Sequence, residues 1–152
     1  MYLPRNICFV LVVILISSCS TETLDVTSPT GKLGVTVEPM EGKAYDKITF
    51  SVNYDGKTIL SQTELGLETD IQKFYGNLKL KSVSKAKRIV DDYKMITGKR
   101  SHCINEAFER TYSFENQEGN ALDITFRVYD NGVVFRYEIN TIADKELSLI
   151  HI

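Results

Sequence analysis

The sequence is poor in metal-binding side chains and carries no excess of charge. It has two His and three Cys among 152 residues, whereas a structural zinc site needs four ligands. No metal site can therefore be read from the spacing of these residues. Lys and Arg number 18 against 20 Asp and Glu, which gives a net charge of -2. Nucleic-acid-binding domains usually carry a marked basic excess, so we expect no nucleic-acid partner. We also expect this chain to hold no cofactor.

The chain also lacks length and helical periodicity. Its 152 residues suffice for one domain of ordinary size, but not for a (β/α)₈ barrel of roughly 250 residues. Beyond residue 20, no segment keeps a convincing apolar period of 3.6 over more than about ten residues. We therefore expect a small domain without long helices.

Residues 1–18 are typical of an export signal. Arg5 precedes the apolar run Ile7 to Ile16, which is about half the roughly 20 residues of a membrane span. The following Ser17, Ser18 and Cys19 resemble a bacterial lipobox, in which the Cys becomes the lipid-bearing first residue. We expect a lipoprotein signal peptide at 1–18, lipid on Cys19 and a short tether at 19–25. The chain would then be anchored on the periplasmic or cell-surface side of a Gram-negative outer membrane. An ordinary cleaved signal with a Cys nearby by chance is the alternative.

This processing leaves one cysteine. Cys8 departs with the signal and Cys19 carries lipid, so Cys103 has no partner for an intramolecular disulfide. A lone Cys in an exported protein is more often a small buried apolar residue than a nucleophile.

Apolar residues in the mature chain recur with a period of two, as they do in strands that bury one face. Asp55-Gly56, between two alternating runs, predicts a tight hairpin, and Asp130-Asn131-Gly132 predicts another turn. The alternating segments are Leu33–Val37, Ile48–Tyr54, Lys57–Leu60, Phe108–Phe114, Leu122–Val128 and Val133–Ile139. The last three form a meander, so we predict an all-β antiparallel sandwich. Residues 146–152 alternate as well, and an apolar end without a polar tail indicates a cut domain.

Candidate chemistry is sparse. Basic residues are concentrated in the segment from Lys79 to Arg100. A polyanion site is possible there, but a solvated sheet face or a sheet edge protected by lysines is favoured. Glu106, Glu109 and Glu138 could supply paired carboxylates for glycoside hydrolysis, but no spacing selects two of them. The alternation places most aromatic residues in the core, so no exposed platform for a sugar ring is expected.

Four segments, in their order along the chain, resemble the N-terminal domain of glycoside hydrolase family 97. They are Thr27–Lys32, then Tyr54–Lys57 with Leu65–Leu67, then Gly98–Glu106, and last Phe126–Glu138. The last two are long and fairly specific, and the resemblance covers nearly all of residues 26 to 140.

The resemblance implies a super-sandwich-like, galactose-mutarotase-like β-sandwich that packs on a (β/α)₈ barrel. In this family the barrel carries the catalytic carboxylates, and the enzymes hydrolyse α-glucosides or α-galactosides. This chain then holds no catalytic residue. The family's calcium site draws on the barrel and on one glutamate that would fall beyond Ile152, so calcium is expected only in the full-length enzyme. Asn105, Glu106, Arg127, Arg136 and Glu138 are motif positions, interpreted as structural or domain-facing.

Residues 26–152 are accordingly expected to be a partial N-terminal sandwich, incomplete at its C-terminal end, with one apolar face and two sheet edges uncovered. Two functions remain open. The first is an inactive N-terminal piece of an exported glycoside hydrolase that helps shape its saccharide site. The second is a stand-alone, lipid-anchored β-sandwich that binds saccharide or a protein partner.

Overall fold

The computed structural model of the chain describes residues 24–39, 47–98 and 101–140. The predicted signal peptide, Cys19 and the alternating segment 146–152 lie outside these ranges. The described residues form strands and turns without any helix, so they contain no helix able to cross a membrane. The strands are β1 Asp25–Thr27, β2 Leu33–Pro39, β3 Ile48–Tyr54, β4 Lys57–Leu65, β5 Leu67–Glu68, β6 Lys73–Phe74, β7 Lys79–Val83, β8 Lys87–Lys94, β9 His102–Glu115, β10 Ala121–Tyr129 and β11 Gly132–Asn140.

Two antiparallel sheets account for most of these strands. One sheet has the order β1-β2-β3-β4, and β11, β10 and β9 follow one another in the other. Strands β7 and β8 both pair with β9, β7 with residues 112–115 and β8 with residues 102–109. The small β5-β6 pair stands apart. The predicted hairpin at Asp55-Gly56 joins β3 to β4, and both residues have positive φ, 48° and 76°, as a type I′ turn requires.

The core lies between the two sheets. Alternate residues of β2, β3, β9 and β10 are buried there, as the period of two predicts. Phe50 of the first sheet meets Phe126 of the second with ring centroids 5.4 Å apart. The expectation of an uncovered apolar face was therefore wrong for the described residues, because the two sheets cover each other.

Two buried polar side chains of β9 tie the first strand to the second sheet. The Tyr112 hydroxyl donates to the Leu24 carbonyl at 2.6 Å, and Arg110 Nη1 donates to the Asp25 carbonyl at 2.8 Å. Arg110 Nε also donates to the Ser84 carbonyl at 2.9 Å. Buried polar groups need such partners, so these bonds fix β1 and the β7–β8 connection on the same strand.

The first part of β9 extends beyond the sandwich as a ribbon with β8. Strand β10 pairs with residues 107–115 of β9, so among the described strands residues 102–106 pair with β8 alone. Val90, Tyr93 and Ile104 on this ribbon are about half exposed. The ribbon therefore lies at an edge of the second sheet, and its β8 strand carries part of the basic segment.

Candidate functional site

Four of the five motif positions share the outer face of the second sheet. Core-facing residues of β10 are even-numbered, from Leu122 to Val128, so the odd-numbered Arg127 lies on the opposite face. The strand registers place Asn105, Arg136 and Glu138 on that outer face as well. Glu106 falls on the other face of β9.

Arg127 is the centre of a polar cluster on this outer face. Its Nε donates to Glu109 Oε2, and its Nη1 lies 3.9 Å from Asp91 Oδ1. The Tyr129 hydroxyl donates to the other oxygen of Asp91 at 2.7 Å. The bond to Glu109 raises the pKa of Arg127 above its ordinary value, and the bond to Asp91 raises the pKa of Tyr129. The cluster therefore joins β8, β9 and β10 through one permanently charged guanidinium.

Arg136 and Glu138 pair along their own strand. Arg136 Nε lies 2.8 Å from Glu138 Oε1, so both charges belong to β11. Arg127 therefore pairs across strands with Glu109 of β9, whereas Arg136 and Glu138 pair along a single strand. Asn105 is exposed and lies opposite Asp91 in the β8-β9 register.

The three glutamates do not form a pair of catalytic carboxylates. Glu106 contacts Arg88 at 2.5 Å, Glu109 contacts Arg127, and Glu138 contacts Arg136. A glycosidase uses two carboxyl groups that flank one bond, whereas each of these glutamates is held by a different arginine. Their geometry is that of a charged surface.

His, Cys and acidic side chains in the described ranges form no cluster that could hold a metal ion. No group of three or more His, Cys, Asp or Glu side chains there is arranged to hold a metal ion. His102 Nε2 contacts Asp92 at 2.5 Å. Cys103 is a free, partly exposed thiol, and its Sγ lies 3.7 Å from the Sδ of Met95. The residues described here therefore do not fit a calcium site, and Cys103 is less buried than the sequence suggested.

An apolar groove opens between the outer strands of the two sheets, β4 and β11. Its volume is about 600 Å³, and Val52, Ile59, Leu60 and Val133 are among its lining residues. Ile59 is 63% exposed and Leu60 41%. Phe135 of β11 packs against Phe50 and Phe126 with centroid distances of 5.8 and 5.5 Å, yet it too is 41% exposed. Large exposed apolar patches often mark interaction surfaces. We call this groove, together with the exposed Phe135 of β11, the open edge.

The fold and these surfaces define an antiparallel β-sandwich with a charged outer face, an open apolar edge and no recognisable catalytic pair in the described residues. Its sequence matches the family described as Glycosyl-hydrolase 97 N-terminal over residues 26–152. The chain belongs to this family.

Relatives of known structure or activity are much longer. The chain is 25% identical over 115 residues to a probable retaining alpha-galactosidase of Streptomyces bingchenggensis (strain BCW-1), covering 76% of this chain and 18% of that protein. A crystal structure of a beta-arabinopyranosidase aligns with a TM-score of 0.68 and 38% identity, over 74% of this chain and 17% of that one. A glycoside hydrolase family 97 enzyme from Pseudoalteromonas sp. strain K8, solved in complex with acarbose, shares the fold with a TM-score of 0.69 at 23% identity, over 79% of this chain and 18% of its own.

Proposed function

We propose that this chain is the N-terminal, non-catalytic domain of an exported glycoside hydrolase that acts on α-glucosides or α-galactosides. Two findings support the proposal: the family match over residues 26–152, and the small share of each relative, 17–18%, that the chain spans. In this role the domain packs on a catalytic (β/α)₈ barrel and helps shape the saccharide site. The chain itself supplies no catalytic group.

The observation that carries this role is the open edge. Ile59 and Leu60 are 63% and 41% exposed in a groove of about 600 Å³, and Phe135 of β11, outside the groove lining, is also 41% exposed. Burial of apolar side chains gains about 25 cal/mol per Å². Covering this edge with more polypeptide would therefore be favourable. More of the same polypeptide is the occupant we assign, because the relatives have more than four fifths of their length beyond the matched part.

Anchoring at the membrane is the second part of the proposal. The sequence before the domain offers a signal at 1–18 and a cysteine at its end. Lipid on Cys19 would hold the enzyme at the periplasmic or cell-surface side of a Gram-negative outer membrane, with residues 19–25 as the tether. The substrate would then be a saccharide that meets the enzyme outside the cytoplasm.

Sequencing the gene immediately beyond codon 152 tests the role. A reading frame, intact or shifted, that continues into further strands and a barrel is expected. A clean stop followed by no related sequence would overturn the proposal and favour a stand-alone binding module.

The open edge can be tested on the chain itself. Sedimentation velocity of purified residues 19–152 at rising concentration should show self-association through the uncovered groove, and Ile59→Glu should suppress it. Ile96→Glu is the matched control, because Ile96 is fully exposed at the tip of the β8–β9 ribbon. A chain that stays monomeric at every concentration would remove the open edge as an interaction surface.

A further inference from the structure

A polar cleft lies between the β5–β6 hairpin and the β9–β10 turn, away from the open edge. Its volume is about 370 Å³, which is within the range of small-molecule sites. Carboxyl and amide side chains line it together with one aromatic ring, and the members used below are Asp70, Gln72, Tyr75 and Glu118. Pockets with a few polar groups around an apolar surface are typical of ligand sites.

Both walls of the cleft are held by short-range hydrogen bonds. Thr69 N donates to the Gln72 carbonyl at 2.8 Å, and Gln72 N donates to Thr69 Oγ1 at 2.9 Å. On the other wall Asn116 Oδ1 accepts two main-chain N–H groups of its own turn, at 3.0 and 2.9 Å. Asn116 Nδ2 then donates across the cleft to the Lys73 carbonyl at 3.3 Å. The walls are thus fixed before any ligand arrives, which lowers the entropy cost of binding.

Tyr75 is the aromatic ring of the cleft, and it is 54% exposed. Its neighbour Phe74 is fully buried and anchors β6 in the core. Gly66 allows this arrangement, since a Cβ at that position would lie 2.8 Å from the Tyr75 Cβ and 3.2 Å from the Phe74 carbonyl oxygen. Tyr75 is thus an exposed aromatic ring beside the cleft, outside the segments whose alternation was used to predict the strands.

The charges of the cleft disfavour anionic ligands. Asp70 and Glu118 are both acidic, and Lys73, the basic residue of the lining, lies 2.8 Å from Glu68 in an ion pair. The hydrogen bond from Lys73 to Glu68 raises the pKa of the lysine, so its positive charge is already paired. A neutral ligand with many hydroxyl groups suits planar carboxyl and amide acceptors and an open ring face.

We propose that this cleft binds a neutral saccharide, with Tyr75 against the apolar face of one sugar ring and Asp70, Gln72 and Glu118 bonded to its hydroxyls. The site needs no catalytic residue. The choice of saccharide over another neutral polyol rests on the proposed function. The location of the site rests on the cleft alone.

The test is a titration of purified residues 19–152, followed by amide NMR shifts, with maltotriose and with melibiose. At least one of these probes should give saturable shifts confined to the cleft. Tyr75→Ala should raise the Kd at least about tenfold, which corresponds to ~1.4 kcal/mol of binding free energy. Tyr75→Phe should keep the Kd within about threefold of the wild-type value. Tyr93→Ala is the matched control, because Tyr93 is 47% exposed on the ribbon, and it should leave the Kd unchanged.

A second variant guards against misinterpretation of the first. Gly66→Ala displaces the Tyr75 ring without removing it, and it should also weaken binding. A folded wild-type chain that shows no saturable shifts with either probe would overturn the inference, as would equal Kd values for the wild type and Tyr75→Ala. If the wild-type chain binds neither probe but the gene continues into a barrel beyond codon 152, the saccharide site is rejected and the proposed function stands. Binding together with a clean stop codon would reject that function and keep the saccharide site.

Discussion

The hydroxyl of Tyr112 gives the sharpest test of the packing between β1 and β9. The side chain is fully buried, and its ring meets Phe126 edge to face at 6.0 Å. Tyr112→Phe keeps that packing and removes only the bond to the Leu24 carbonyl, 2.6 Å long. The same carbonyl keeps a second donor, Val37 N at 3.4 Å. The loss is therefore that of one good hydrogen bond, about 1.5 kcal/mol of unfolding free energy at pH 7.

The same residue predicts how this difference changes with pH. Burial is the largest influence on the phenol and raises its pKa far above the ordinary value of 10.0. Above pH 10 the unfolded chain releases this proton while the folded chain retains it, so the wild type loses stability as pH rises. The loss is about 1.4 kcal/mol per pH unit, and the Phe variant does not share it. The gap between the two proteins should therefore close near pH 11.

Urea denaturation of both proteins at pH 7 and pH 11 measures this. Tyr93→Phe, at an exposed position, is the control and should match the wild type at pH 7. A Tyr112→Phe variant as stable as wild type at pH 7 would refute the tie between the strands. A gap that stays constant up to pH 11 would refute the burial of the phenol.

Three further predictions concern Arg110, Arg127 and Cys19. Arg110→Met leaves two main-chain carbonyls without this charged donor, so urea denaturation should show a loss of about 3 kcal/mol; a loss under about 1 kcal/mol would contradict the buried anchor. Arg127→Gln should cost about 1 kcal/mol by the same assay, and adding Glu109→Gln should restore part of it; strict additivity would contradict their pairing. Cys19→Ala should abolish metabolic labelling by a fatty acid, and labelling that persists would reject lipidation.

Much of the sandwich could be predicted from local alternation. The strands Phe108–Phe114, Leu122–Val128 and Val133–Ile139 lie within the observed β9, β10 and β11, because side chains in a strand alternate between a buried and an exposed face. The Asp55-Gly56 hairpin was predicted for an equally local reason. Strand β4 runs further than expected, to Leu65, through an irregularity where Gln62 has φ of 42°.

Surfaces that depend on distant pairing could not be predicted in this way. Alternation says that two residues share a face, but it does not say which strand covers that face. Strands β7 and β8 divide one side of β9 between them, and no sequence period encodes this. The exposure of Tyr75 was missed for the same reason, because the close approach of Gly66 to Tyr75 is not encoded by any alternation. Strand pairing likewise decides that Arg88 contacts Glu106 and that Arg127 contacts Glu109. The contact between Arg136 and Glu138 is local, because these residues are two positions apart on one strand.

The central claim is that this chain is a domain without catalytic groups of its own. Incubation of purified residues 19–152 with aryl α-glucoside and aryl α-galactoside, followed by release of the aryl alcohol, tests it most directly. Release no faster than in buffer is the expected result. Release that rises in proportion to protein concentration, and is lost in Glu106→Gln, Glu109→Gln or Glu138→Gln, would contradict it.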